Sequence, residues 1–194
     1  MSTKYPAGTQ DVQTKRQPRR EEAFTDYLYS LSERGRRKEL AALRRGLSAA
    51  PGTVSACYPV VAPWTRGLSP RDEFLYYLVA SLYALHPQRG SGSLGKVARQ
   101  LAEAGAEEST EKRLLALQDE HDDEALAHYL RQFVGLAKAS DVGVDYLRLL
   151  NDLRFFNLPN SSVQRRWAKD FYTPAYRGDV GADRAQERKP DESD

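Results

Sequence analysis

Apolar residues in this chain return at intervals of three and four, and no segment sustains an apolar–polar alternation. That spacing predicts helices and no strand. Phe24, Tyr27, Leu28 and Leu31 mark a first amphipathic helix ending near Gly35. Leu40, Leu43 and Leu47 form the stripe of the next, and Gly46 stands where a left-handed cap closes a helix. Between Ser48 and Gly67, three prolines are set among Val54, Tyr58, Val60, Val61 and Trp64, which reads as a short helix and a packed turn. Ser69-Pro70-Arg71-Asp72 then opens a helix with a serine cap, proline at the first position and an acid three residues after the cap. From Pro70 to about Leu85 that helix is apolar on nearly every side, so it is the expected centre of the core.

His86-Pro87 stops it, and Gln88 to Ser93 reads as a flexible joint and an internal boundary. Beyond the joint, Leu94, Val97, Ala98 and Leu101 line one helix, and a loop at Gly105 leads to another near Ser109 to Gln118. There Leu114, Leu115 and Leu117 are expected inside, with Lys112 and Arg113 outward. Asp122, Asp123 and Glu124 suit the first turn of the next helix, where the dipole favours acids. It buries Leu126, Leu130, Phe133, Val134 and Ala137. Tyr146, Leu150, Leu153 and Phe156 define another helix, and Ser161 or Ser162 caps the last, which carries Val163, Trp167 and Phe171. The expectation is an all-α fold of about eight or nine helices. A disordered basic tail over 1–19 precedes an N-terminal helical half (20–93), and a C-terminal helical half (94–174) precedes a disordered tail (175–194).

The formal net charge of +2 conceals a segregation. Residues 1–20 carry +4 and residues 175–194 carry −2, so the body between them sums to zero. Within that body, residues 101–124 hold nine acids against two cations, and residues 131–170 hold seven cations against four acids. Placement, not total charge, therefore decides what the surface attracts. The single cysteine, Cys57, excludes an internal disulfide and a cysteine-based zinc cluster. The longest apolar run, Phe74 to Leu85, is too short to span a bilayer and nothing resembles a signal peptide, so no membrane partner and a cytoplasmic location are expected.

Cations are the chemistry the chain offers. Arg34 to Arg45 holds six of them and one acid, and Lys38–Arg45 and Arg37–Arg44 are two pairs seven residues apart. Two turns of helix thus carry two parallel rows. Arg131 and Lys138 repeat the spacing, while Lys96, Arg99, Lys112, Arg113, Arg165, Arg166 and Lys169 lie off the apolar lines of their helices. Such rows suit a phosphate backbone; alternatively they are a salt-bridged surface meeting the acids of 103–124, or the face of a helical adaptor that binds an acidic protein. His86, His121-Asp122 and Asp145 superficially follow the order of metal-dependent HD-type phosphohydrolases, but acids opening a helix are already explained by its dipole. No nucleotide-binding glycine loop, nucleophile elbow or helix-turn-helix head is present. No catalysis and no cofactor are expected.

Several phrases together resemble the small subunit of the type I-E CRISPR surveillance complex Cascade, the CasB family. They are Leu43-Arg44-Arg45-Gly46, Tyr58-Pro59-Val60-Val61-Ala62-Pro63, Ser93-Leu94-Gly95-Lys96, Glu111-Lys112-Arg113 and Leu130-Arg131-Gln132-Phe133-Val134. Val144-Asp145-Tyr146-Leu147, Leu150-Asn151-Asp152-Leu153 and Trp167-Ala168-Lys169-Asp170-Phe171-Tyr172 complete the set, which covers roughly residues 22–173. The resemblance implies two packed helical halves and no catalysis. It implies a second copy of the chain, the backbone and large subunits, the guide RNA and both strands of target DNA as partners in antiviral defence. Arg44, Arg45, Lys96, Lys112, Arg113 and Arg131 fall where that family tends to place basic residues on its nucleic-acid face.

Overall fold

The computed structural model of the chain describes residues 18–160 and 162–173. Both tails, and the expected cap at Ser161, lie outside the described residues. Among the described residues nine α-helices follow one another: α1 (Arg20–Glu33), α2 (Arg37–Arg45), α3 (Tyr58–Thr65), α4 (Pro70–Leu85), α5 (Leu94–Leu101), α6 (Glu107–Gln118), α7 (Asp123–Ala139), α8 (Tyr146–Arg154) and α9 (Ser162–Tyr172). Among the described residues there is no strand, only a single bridge between Arg89 and Val144. The fold is all-α.

Their starts follow from side chains that accept the orphan N–H groups of a first turn. Ser69 accepts from the Asp72 amide, Ser93 from Lys96, Asp122 from Ala125 and Asp145 from Arg148. Ten consecutive residues of α4, Leu75 to Ala84, are buried, so this helix is the axis of the molecule. It packs against α2 and α3 on one side and α7 and α8 on the other. Tyr146 at the start of α8 donates its hydroxyl to the His86 carbonyl at 2.5 Å, with its ring set edge-on against Tyr83. One continuous apolar core runs from Phe24 to Trp167.

Polar links cross the same seam. Arg154 donates from Nε to Asp72 at 2.9 Å and also pairs with Glu21. Arg71 pairs with Asp123 at 3.2 Å and donates to the Leu153 carbonyl at the end of α8.

Three expectations are corrected. Gln88–Ser93 is tied, not loose: the Gly90 amide donates to the Val144 carbonyl (3.0 Å) and the Val144 amide to the Gln88 carbonyl (3.1 Å). The Arg89 guanidinium also lies 3.8 Å over the Tyr29 ring. Gly46 is right-handed (φ −62°), not a left-handed cap. The constraint there is close approach: a Cβ would stand 2.4 Å from Ser81 Oγ of α4 and 3.1 Å from Cys57 Sγ, so the Ser81 hydroxyl would have to move. Leu115, expected inside, is 44% exposed. Leu114 and Leu117 take the buried side of α6, and a residue about 100° around from Leu114 cannot share it fully.

Candidate nucleic-acid interface

The cations of α2 divide by what they already hold. Arg37, Lys38 and Arg45 are exposed, and their side chains have no hydrogen-bond or ion-pair partner among the described residues. Arg36 pairs with Glu39 at 2.9 Å. Arg44 donates from Nε to the Ala84 carbonyl at 2.8 Å, satisfying an acceptor in the last turn of α4 and fixing α2 against it. Arg131 of α7 donates to the Ala49 carbonyl at 2.8 Å, just beyond the end of α2. Burial lowers its pKa from the usual arginine value while Glu124 opposes the shift; an arginine so placed keeps its charge at neutral pH. The structure therefore brings Arg44, Arg45 and Arg131 to one end of α2, with Arg37 and Lys38 about two turns away.

A second group lies on α5 and α9, the most closely packed pair of helices. Lys96, Arg165 and Lys169 are exposed and lack side-chain partners among the described residues. Ser93, the cap of α5, donates its hydroxyl to Asp170 at 2.5 Å and so ties the two helices beside these lysines. Arg99 is engaged by Glu103 at 2.8 Å and by the Thr173 carbonyl. Arg166 points inward instead: it donates to Asp152 at 2.5 Å, where Arg148 (3.1 Å) and the Trp167 indole N–H (2.7 Å) converge. Its charge balances a buried carboxylate, a pairing across fourteen positions that sequence spacing does not disclose.

The remaining positions stand apart from these groups. Lys138 is exposed near the end of α7. Lys112 pairs with Glu108 at 2.7 Å and Arg113 donates to the Ser109 carbonyl at 2.9 Å, both within α6, whose first turn carries Glu107 and Glu108. Their field is locally compensated. The residues of the metal reading serve the fold: His86 is buried with Nε2 2.9 Å from the Val142 carbonyl, and Asp145 caps α8. Tyr76, Tyr77 and Tyr83 are core residues, as their helix predicted.

Sequence reasoning passed over Tyr58 as part of a packed turn; it is 42% exposed. It also passed over Arg71 and Arg154, whose carboxylate partners are brought up by the fold, and Arg148, whose partner Asp152 lies four positions on in α8.

Comparison with known proteins follows the same outline. Residues 39–172 match the family model described as CRISPR-associated protein Cse2. A Cse2 protein of Thermus thermophilus is 39% identical over 156 residues, covering 78% of this chain and 89% of that one. The crystal structure of CasB from Thermus thermophilus superposes with a TM-score of 0.69 at 34% identity, over 78% of this chain and 97% of the other. A chain from a CRISPR RNA-guided surveillance complex superposes with a TM-score of 0.63 at 26% identity, over 78% and 91% of the two chains.

Proposed function

Because the chain belongs to the CRISPR-associated Cse2 family, whose members are also called CasB, we propose that it is the non-catalytic small subunit of a type I-E surveillance complex, steadying nucleic acid while an R-loop opens. The observation that carries this reading is the number of unspent cations: Arg37, Lys38 and Arg45 on α2, Lys96 on α5 with Arg165 and Lys169 on α9, and Lys138 on α7. Arg44 and Arg131 join the α2 group as arginines already oriented by a carbonyl. Lys112, Arg113 and Arg166 are weaker members because each is engaged within the chain.

Exchanging a DNA duplex for an RNA–DNA hybrid is nearly balanced in free energy, so modest contacts to a displaced strand tip it forward. Phosphates carry no sequence information, so such contacts serve any target. The guide RNA, the target and displaced strands, the backbone and large subunits and a second copy of this chain are the partners this role requires. The rival reading, a helical adaptor on an acidic protein, draws on the exposed Phe155 and Leu158 at the α8–α9 turn, apolar groups with no use in gripping phosphate.

Binding of the purified chain to a single-stranded oligonucleotide across a salt series separates the two. About six engaged phosphates give a log–log slope near −4, and Lys38→Ala with Arg45→Ala should flatten it by about one to one and a half. Arg45 is preferred to Arg44 for this test because Arg44 also holds α4. An unchanged slope in a folded double variant removes α2 from the track. Tight binding to a protein partner alone favours the adaptor.

A further inference from the structure

Beside the basic end of α2 lies an open groove of about 540 Å³, within the size range of small-ligand clefts. Tyr58, Phe74, Tyr77 and Pro51 supply its aromatic and apolar lining, Ala62 is an exposed wall residue, and Glu73 is its acid. Tyr58 is the exposed ring; it meets the edge of Tyr77 at 6.0 Å between centroids, and its hydroxyl has no hydrogen-bond partner among the described residues. Resting on the strand-binding reading above, the geometry points to this groove as a stacking station for an unpaired nucleobase, placed where the cations of α2 and α7 hold the adjoining phosphates.

Proximity argues for it. Cys57 Sγ donates to the Ala42 carbonyl at 3.3 Å and faces Gly46, so Tyr58 and Arg45 each stand one residue from a contacting pair. Arg131 is held at Ala49, two residues before the Pro51 wall. A strand gripped by Arg45 and Arg131 therefore runs past the mouth of the groove. The groove's own chemistry selects base over phosphate. A carboxylate at Glu73 repels an anion, while aromatic faces accept any base with little preference for sequence. Glu73 takes one hydrogen bond through Oε1, from the Thr65 hydroxyl at 3.1 Å. Its other oxygen has no partner among the described residues and suits a base N–H. Charge attracts the strand and the rings hold one of its bases; these contributions differ in their response to salt.

That difference supplies the test. The full chain is titrated with a labelled single-stranded oligonucleotide and with an abasic strand of equal length, each across the same salt series. Tyr58→Ala should weaken binding to the base-bearing strand about tenfold at every salt concentration, leaving the slope unchanged. Tyr58→Phe should bind as the wild type does. On the abasic strand, wild type and Tyr58→Ala should be indistinguishable. Ala62→Leu, which fills the groove without removing a contact, should reproduce the Tyr58→Ala loss and guards against a folding artefact. Equal binding of wild type, Tyr58→Ala and Ala62→Leu to the base-bearing strand overturns the station alone, provided the wild-type slope is present. An equal loss on the abasic strand also overturns it, because the ring would then support packing. A variant that binds strands normally but loses a partner subunit reassigns the groove to protein docking. A wild-type chain with no salt-sensitive binding overturns the phosphate track, and the station with it.

Discussion

Gly95→Ala should destabilise the protein by about 3 kcal/mol, although alanine in place of glycine inside a helix ordinarily stabilises by about 1 kcal/mol. The sign reverses because α5 and α9 touch backbone to backbone. A Cβ on Gly95 would stand 2.1 Å from the Trp167 carbonyl oxygen and 2.7 Å from its Cα. Neither helix is free to retreat. Ser93 binds Asp170 across the pair, and Trp167 is pinned from behind by Asp152. The added methyl group must therefore lever apart a well-packed interface or bend one of the helices. Urea denaturation followed by circular dichroism reads the result. A midpoint equal to or above the wild type would show that the helices can separate without cost.

The second large effect is expected at Asp152. This carboxylate is only 4% exposed and receives the Trp167 indole N–H on one oxygen and Arg148 and Arg166 on the other. Asp152→Ala leaves a buried indole donor unpaired and two guanidinium groups without their counter-charge. Each side chain of that arginine pair is partly open to water, so rehydration recovers some of the loss. About 3 kcal/mol is expected, between the cost of one buried unsatisfied donor and that of breaking a fully buried ion pair. Asp152→Asn keeps an acceptor for Trp167 and should fall between alanine and wild type. Because Trp167 is a direct partner, its fluorescence should change with the alanine variant under native conditions. A loss below about 1 kcal/mol would mean that the three donors find water instead.

The helices were legible because their causes are local. Ser69, Ser93, Asp122 and Asp145 advertise starts by residue type, and the unbroken apolar surface of α4 announces a central helix. Gly46 shows where local logic fails. A glycine after basic residues predicts a left-handed cap, whereas the actual constraint is the approach of Ser81, thirty-five positions on. Leu115 fails for a related reason: three leucines within four residues cannot all face one side of a helix.

The cations divide likewise. Residue type marks Arg44, Arg45, Arg131 and Arg166 alike, but only the fold reveals that Arg45 is unspent while Arg44 caps α4 and Arg166 neutralises a carboxylate. Partners at a distance in sequence leave no periodic trace. Tyr58 was hidden for the opposite reason, since proline and valine neighbours made an exposed ring look like core.

The central position of α4 also has a temporal consequence. The ribosome delivers α4 before the helices that cover its second side, for Leu153 of α8 follows Leu85 by about seventy residues. At ordinary rates of translation that interval lasts on the order of 4–14 s. Throughout it, an apolar rod with one flank dressed by α2 and α3 waits for α7 and α8. The nascent chain is thus most exposed to self-association between the completion of α4 and that of α8, and a pause in translation there should lower the yield of soluble protein.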